Sequence, residues 1–267
     1  MILKIAVAYH KPSLILSNDV YLPIQVGKAL NPTIDLGIQP DNEGVNISDE
    51  NGYYCELTAT YWIWKNITAD YKGLCHYRRF FTTERSGGIM QRVSNIVLKG
   101  TYIPQIVYYN ENKFERDMYI MSDKLKVELG KVPIITTREV ISRLSCYNYF
   151  AIIGSEYITI TQNIVNAIYP DYSSVMDESL KSHRIHFANM VVMRTDYFDE
   201  YCTFVFNVLD YVKEMLVSQD WIIDLKREKI FSRKLGYIAE LLTNCYIKKK
   251  KAEGVKISMC NVAYLNV

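Results

Sequence analysis

Short apolar runs alternate with amphipathic stretches along the first third of the chain. Lys4–Tyr9 is β-branched, apolar and stopped by Pro12, which predicts a buried strand. Tyr21–Val26 predicts a second strand, closed by Gly27. A polar loop containing Gly and Asn follows over 37–46. Ser48 then stands where it could cap a helix, with Asp49 and Glu50 in the first turn. The helix is expected over Tyr53–Asn66, where Tyr54, Leu57, Tyr61 and Trp64 recur near helical spacing. Asp70–Cys75 is a short strand. Strand, helix, strand with short links is the grammar of an α/β fold.

Beyond Thr82 the pattern weakens. Thr82–Lys131 is mixed in charge and weakly periodic, and is expected to be a variable, partly mobile insertion. Lys131–Thr137 predicts a strand, Gln162–Ile168 a short helix, and His186–Met193 a strand. Phe198–Leu216 carries one apolar stripe through Cys202, Val205, Leu209 and Val212, and Ile230–Tyr246 carries another, so both predict helices.

Composition narrows the class. With 49% hydrophobic residues in 267, a wholly disordered chain is excluded. Lys plus Arg number 31 against 29 for Asp plus Glu, too even for a nucleic-acid coat protein, so no nucleic-acid partner is expected. The 22 Tyr residues combine apolar area with a hydroxyl, as sugar and nucleotide sites do. Met1–Ala8 is broken by Lys4 and is too short for a signal core, and no apolar run reaches membrane-spanning length. The six scattered Cys residues then read as free thiols of a cytoplasmic protein.

The sequence holds no G-x-G-x-x-G, P-loop, H-E-x-x-H or G-x-S-x-G motif, and no D-x-D at a strand end. Its four His residues lack ligand spacing, so no metal is expected. The densest polar cluster is His76-Tyr77-Arg78-Arg79, directly after a predicted strand. Ligands collect at strand carboxyl ends in α/β sheets, and adjacent guanidiniums can neutralise a diphosphate. The alternative is two arginines pointing to opposite sides in surface ion pairs. His10 and Lys11 end the first strand in the same way and could meet a base, ribose or phosphate. Asn46 lies in the loop Asp41–Ser48, where anions or hydroxyls could bind. Asn189, inside an otherwise apolar strand, needs a polar partner. Lys248–Lys251 reads either as a solvated helix end or as attraction to anionic lipid.

The strings IAVAYHKP, YLPIQVG, NIS-x-x-N, YCELTATYWIWKN and above all DYKGLCHYRRFF resemble the domain of unknown function 4422 family. The resemblance resumes at YPDYSSVMDESLKSHRIHFANMVVM and runs through FDEYC-x-x-x-F to SRKLGYIAELL. The family commonly has Glu-Arg-Leu where this chain has Glu240-Leu241-Leu242. The resemblance implies a glycosyltransferase of capsular or exopolysaccharide synthesis, with a GT-A-like, mainly parallel central sheet flanked by helices and a variable middle insertion.

The expectation is therefore one glycosyltransferase-like domain over 1–267. It divides into a nucleotide-sugar half (1–82), an insertion (83–131), an acceptor-side half (132–250) and a tail (251–267). The enzyme would move a hexose, by default galactose or galactofuranose, from a nucleotide diphosphate sugar to a hydroxyl of a lipid-linked intermediate. The donor, by default UDP-linked, is a substrate, and no cofactor is implied. His10, Lys11 and Asn46 would meet the nucleotide half. His76, Tyr77, Arg78 and Arg79 would hold the diphosphate without metal, with Asn189 nearer the transferred sugar. Glu240, Asp220 and Glu56 are the candidate bases. The protein would sit in the cytoplasm, with weak peripheral contact to the inner membrane face. The competing reading is a non-catalytic nucleotide-sugar or glycan-binding module.

Overall fold

The computed structural model describes residues 1–84, 106–218 and 233–265. Strands β1 (Leu3–Tyr9), β2 (Tyr21–Gln25) and β3 (Gln39–Pro40) run parallel, and β4 (Tyr71–His76) pairs parallel with β1 on its other side. A two-residue turn leads into antiparallel β5 (Arg79–Thr82).

The expected helix over Tyr53–Asn66 is two: α1 (Asn51–Tyr54) and α2 (Leu57–Asn66). Cys55 breaks them with φ +52°, ψ −126°, a conformation strained for any residue with a Cβ. Asn51 Nδ2 secures the break by donating to the Cys55 carbonyl at 2.6 Å. Ser48 caps nothing. Its hydroxyl donates to buried Asp41, which also accepts the Gly27 and Lys28 amides.

The stretch expected as an insertion supplies β6 (Ile106–Tyr109) and α3 (Glu111–Leu129), and the stretch expected as a tail supplies the nine-residue strand β11 (Ile257–Leu265). Between them come β7 (Ile134–Thr137), β8 (Val140–Ile141), α4 (Cys146–Phe150), α5 (Ser155–Ile168) and α6 (Ser173–Lys181). Then follow β9 (Arg184–Ile185), β10 (Val191–Arg194), α7 (Thr195–Ser218) and α8 (Lys234–Ala252).

The central sheet is mixed, which corrects the mainly parallel expectation. Its order is β10-β7-β11-β5-β4-β1-β2-β3, with β6 also on β11. β11 runs parallel to β6 and β7 but antiparallel to β5, and β10 lies antiparallel to both β4 and β7. Gly73 makes the β4–β10 contact possible: a Cβ there would sit 2.5 Å from the Val191 carbonyl oxygen. The strand expected over His186–Met193 is shortened to β10 because Ala188 and Asn189 take left-handed φ values of +68° and +52°.

One face of the sheet packs on α2 and α5–α8, through Leu57, Ile63, Ile158, Phe198, Val205 and Leu242 among others. The opposite face packs on α3 through Phe114, Met118, Met121 and Leu125. That packing is why 111–129 is a core layer: its apolar positions recur at helical spacing once Asn110 caps the helix by accepting the Lys113 amide. No described helix is long and apolar enough to cross a membrane.

Candidate active site

The carboxyl ends of β1, β2 and β4 open onto one cleft of about 530 Å³. Ala8, His10 and Val26 line it, with His76, Tyr77, Arg78 and Arg79 from the β4–β5 turn. Asn51, Gly52, Cys55 and Glu56 come from the α1–α2 break, Arg233 from the start of α8, and Tyr264 from β11. An inner pocket of about 220 Å³ shares Cys55, Glu56, His76, Arg79 and Arg233 and adds Tyr237 and Glu240. The volume of the main cleft lies in the range of small-ligand sites, and the inner pocket extends it.

The two arginines do not diverge. His76 pairs with Arg79 across the turn, so residues 77 and 78 are its only loop positions, and the Leu265 amide holds the Arg78 carbonyl. Both side chains line the cleft. The Arg78 Nε is buried without a hydrogen-bond partner, and its guanidinium lies 5.2 Å from the Tyr77 ring centre. An anionic ligand would satisfy a buried donor of that kind. His10 packs edge-on against Tyr77, with ring centres 5.2 Å apart.

The field here is positive. Burial, then Lys11, Arg233, His76 and Arg78, hold the His10 pKa below its ordinary value. Burial likewise lowers His76, against the opposing pull of Glu56. His76 Nε2 donates to the Ala188 carbonyl at 2.7 Å, which fixes the Nε2–H tautomer.

Two carboxylates mark the inner end. Asn189 Nδ2 donates to Glu56 Oε1 at 3.0 Å and to the Gly236 carbonyl at 3.1 Å, while its Oδ1 accepts from Thr243. Burial, then the charge of Glu56, pushes the Glu240 pKa up to about 8, although the Ala188 backbone hydrogen bond, Arg79 and Arg233 oppose it. The left-handed pair Ala188-Asn189 therefore touches three site groups at once: His76, Glu240 and Glu56.

Several sequence candidates sit elsewhere. Asn46 donates to the Gly44 carbonyl and accepts the Ser48 amide, which is turn chemistry, and it does not line the cleft. Lys11 lies 5.8 Å from the Tyr77 ring centre, beside the cleft and not in its lining. Asn189 is 2% exposed with its amide engaged, so it stands behind Glu56 and offers no surface to a sugar. Asp220 lies outside the described residues. Sequence reading missed Arg233 and Tyr264. The only signal for Arg233 was its place in SRKLGY, and Tyr264 belonged to the supposed tail.

The lysine run is not surplus charge. Lys248 pairs with Glu178, Lys249 with Asp171 and Glu253, Lys250 with Glu200 and Glu253, and Lys251 with Glu139. The lysines alone therefore give little ground for lipid attraction. Among the described residues, no cluster of three or more His, Cys, Asp or Glu is arranged to hold a metal ion.

A solved structure described as the apo form of the bifunctional glycosyltransferase WbbM is similar over 99% of this chain, at 26% identity and a TM-score of 0.79. The match covers 45% of that protein, so this chain spans less than half its length. No curated protein matches the chain. The sequence profile of the domain of unknown function DUF4422 matches residues 4–251, nearly the whole chain, and the protein belongs to that family.

Proposed function

We propose that this protein is a glycosyltransferase with a GT-A-like fold. It moves a hexose from a nucleotide diphosphate sugar to a hydroxyl of a lipid-linked surface-polysaccharide intermediate. The observation that carries the reading is one cleft with His10, Arg78, Arg79 and Arg233 toward the strand ends and Glu56 and Glu240 at its inner end. The likeness to a glycosyltransferase structure supports it, and the resemblance to polysaccharide-synthesis proteins favours UDP-galactose or UDP-galactofuranose as donor. The acceptor chemistry puts the enzyme in the cytoplasm at the inner membrane face.

In this reading the diphosphate lies on Arg78, Arg79 and Arg233, with His10 and Tyr77 toward the nucleotide. Three guanidiniums supply the charge that a dication would otherwise provide for the leaving group. The sugar and the acceptor hydroxyl meet in the inner pocket. Glu240, one of the candidate bases, holds its proton near neutral pH, because burial and Glu56 raise its pKa to about 8. The base that takes the acceptor proton is then Glu56, and Glu240 donates a hydrogen bond to a sugar oxygen.

The test is a panel of nucleotide sugars screened by thermal stabilisation, followed by release of the nucleoside diphosphate with acceptor, with and without EDTA. A hundredfold excess over the dissociation constant stabilises by ~2.7 kcal/mol, well within reach of the assay. Turnover that survives EDTA is the expected result. Donor affinity with no release for any acceptor would indicate a binding module. Loss in EDTA restored by manganese would overturn the guanidinium mechanism.

A further inference from the structure

Away from the cleft, β8 and β9 form a separate two-stranded ribbon in which Val140 faces Ile185 and Ile141 faces Arg184. The Ser142 amide reaches the His183 carbonyl and the Cys146 amide the Ser182 carbonyl, so residues 142–146 run alongside 182–184. This surface carries large apolar side chains in water: Ile141 is 46% exposed, Leu144 50%, Tyr147 37% and Ile152 82%. Exposed cations stand among them, namely Arg143, Lys181 and Arg184. Neither 140–155 nor 181–195 contains a single Asp or Glu.

Beside the ribbon is a cavity of about 180 Å³ lined by Ser179, Ser182, Arg184, His186, Lys248 and Lys251, with Glu139. Glu139 is shared by Arg184 at 3.2 Å and Lys251 at 2.8 Å, and Glu178, 64% exposed, takes Lys248. Cations outnumber carboxylates around the cavity, and its size suits a phosphate group.

We propose that this surface docks on an anionic lipid bilayer. Ile141, Leu144, Tyr147 and Ile152 enter the interface, Arg143, Lys181 and Arg184 meet lipid phosphates, and the cavity takes one headgroup phosphate. Apolar side chains set among cations, with carboxylates absent from the same segments, match the layered chemistry of such a surface. The proposal rests on the transferase reading for its purpose. Ile185 and Asn189 are four residues apart, at most ~14 Å of chain, so a lipid-anchored acceptor held here lies close to the turn that positions Glu56.

The experiment is co-sedimentation of the full chain with phosphatidylcholine vesicles, with and without phosphatidylglycerol, at low and high salt. The wild type binds the anionic vesicles and is released by salt. Leu144→Ser with Ile152→Ser weakens binding at least tenfold, and Arg143→Gln with Lys181→Gln weakens it roughly thirtyfold, at ~1 kcal/mol per basic residue. Val127→Ser, exposed on α3 across the sheet, binds as wild type, and thermal melts confirm that each variant is folded. Sedimentation that is absent, indifferent to phosphatidylglycerol, or unchanged in both double variants overturns the proposal. The measurement uses neither donor nor acceptor, so failure of the transferase reading leaves its outcome readable.

Discussion

Asn189 donates its side-chain amide to Glu56 at 3.0 Å across 133 positions of sequence. Asn189→Asp keeps the shape and the tolerance for positive φ but turns the donor into an acceptor facing a carboxylate. A hydrogen bond to a charged group is worth ~1.5–3 kcal/mol, so turnover should fall roughly 10- to 100-fold with little change in donor KM. Lower pH should restore part of it, as one of the facing carboxyls takes a proton. An unchanged pH profile with a lowered melting temperature would mean that Asn189 is structural only.

Removal of Arg78, Arg79 or Arg233 should weaken donor binding, each by ~1.5–3 kcal/mol. Lys at 78 or 79 should recover only part, because an ammonium cannot form the bidentate fork. Titration calorimetry with UDP decides this. Arg78→Ala with wild-type affinity would remove the diphosphate from the β4–β5 turn.

Donor affinity should fall as pH rises. His10 and His76 are held below the ordinary His pKa in the free cleft, by burial and then by neighbouring charges. A bound diphosphate brings negative charge that favours both imidazolium forms, so binding takes up protons. Calorimetry in buffers of different ionisation enthalpy should record net uptake that begins below the ordinary His pKa of ~6.5, where the free cleft holds both rings neutral. Zero uptake would place the phosphates away from both rings.

Glu240 has a folded pKa of about 8, against ~4.3 for an unperturbed Glu. A raised pKa means that the folded state holds the proton more tightly. The contribution is complete below the unfolded pKa and is lost as pH climbs through the folded one. Thermal stability should therefore decline from about pH 5 to pH 8, and Glu240→Gln should flatten that slope. Parallel profiles for wild type and variant would contradict the buried, proton-bearing assignment.

Lys250 is 7% exposed in its side chain and lies 2.6 Å from Glu200 and 2.7 Å from Glu253. Lys250→Gln should lower stability by ~1–2 kcal/mol, since its partners are only partly exposed. Lys248→Gln, whose partner Glu178 is largely exposed, should stay within ~0.5 kcal/mol. Chemical denaturation of both variants distinguishes a structural lysine run from a solvated one.

Local pattern was enough for the strands Leu3–Tyr9, Tyr21–Gln25 and Tyr71–His76 and for the helices Thr195–Ser218 and Lys234–Ala252. A single apolar stripe at helical spacing favours one packed face, and a short β-branched apolar run closed by Pro or Gly favours a buried strand. The cluster His76–Arg79 was legible for a related reason: charge concentrated directly after a buried strand must emerge at that strand's end. Tertiary contact decided the rest. The helix 111–129 packs only one face on the sheet, and its apolar stripe is diluted by the charged residues of the other face. The strand 257–265 shows no alternation because neighbours bury most of it, and strand direction in the sheet depends on which partners arrive, not on the strand's own residues. The break at Cys55 and the left-handed turn at Ala188-Asn189 oppose local preference and persist because side-chain hydrogen bonds hold them, from nearby Asn51 at the first and with distant Glu56, Gly236 and Thr243 at the second. The pairing of Glu56 with Glu240, and the entry of Arg233 beside them, joins residues up to 184 positions apart. No local spacing encodes such a meeting, because it exists only once the helices have packed on the sheet.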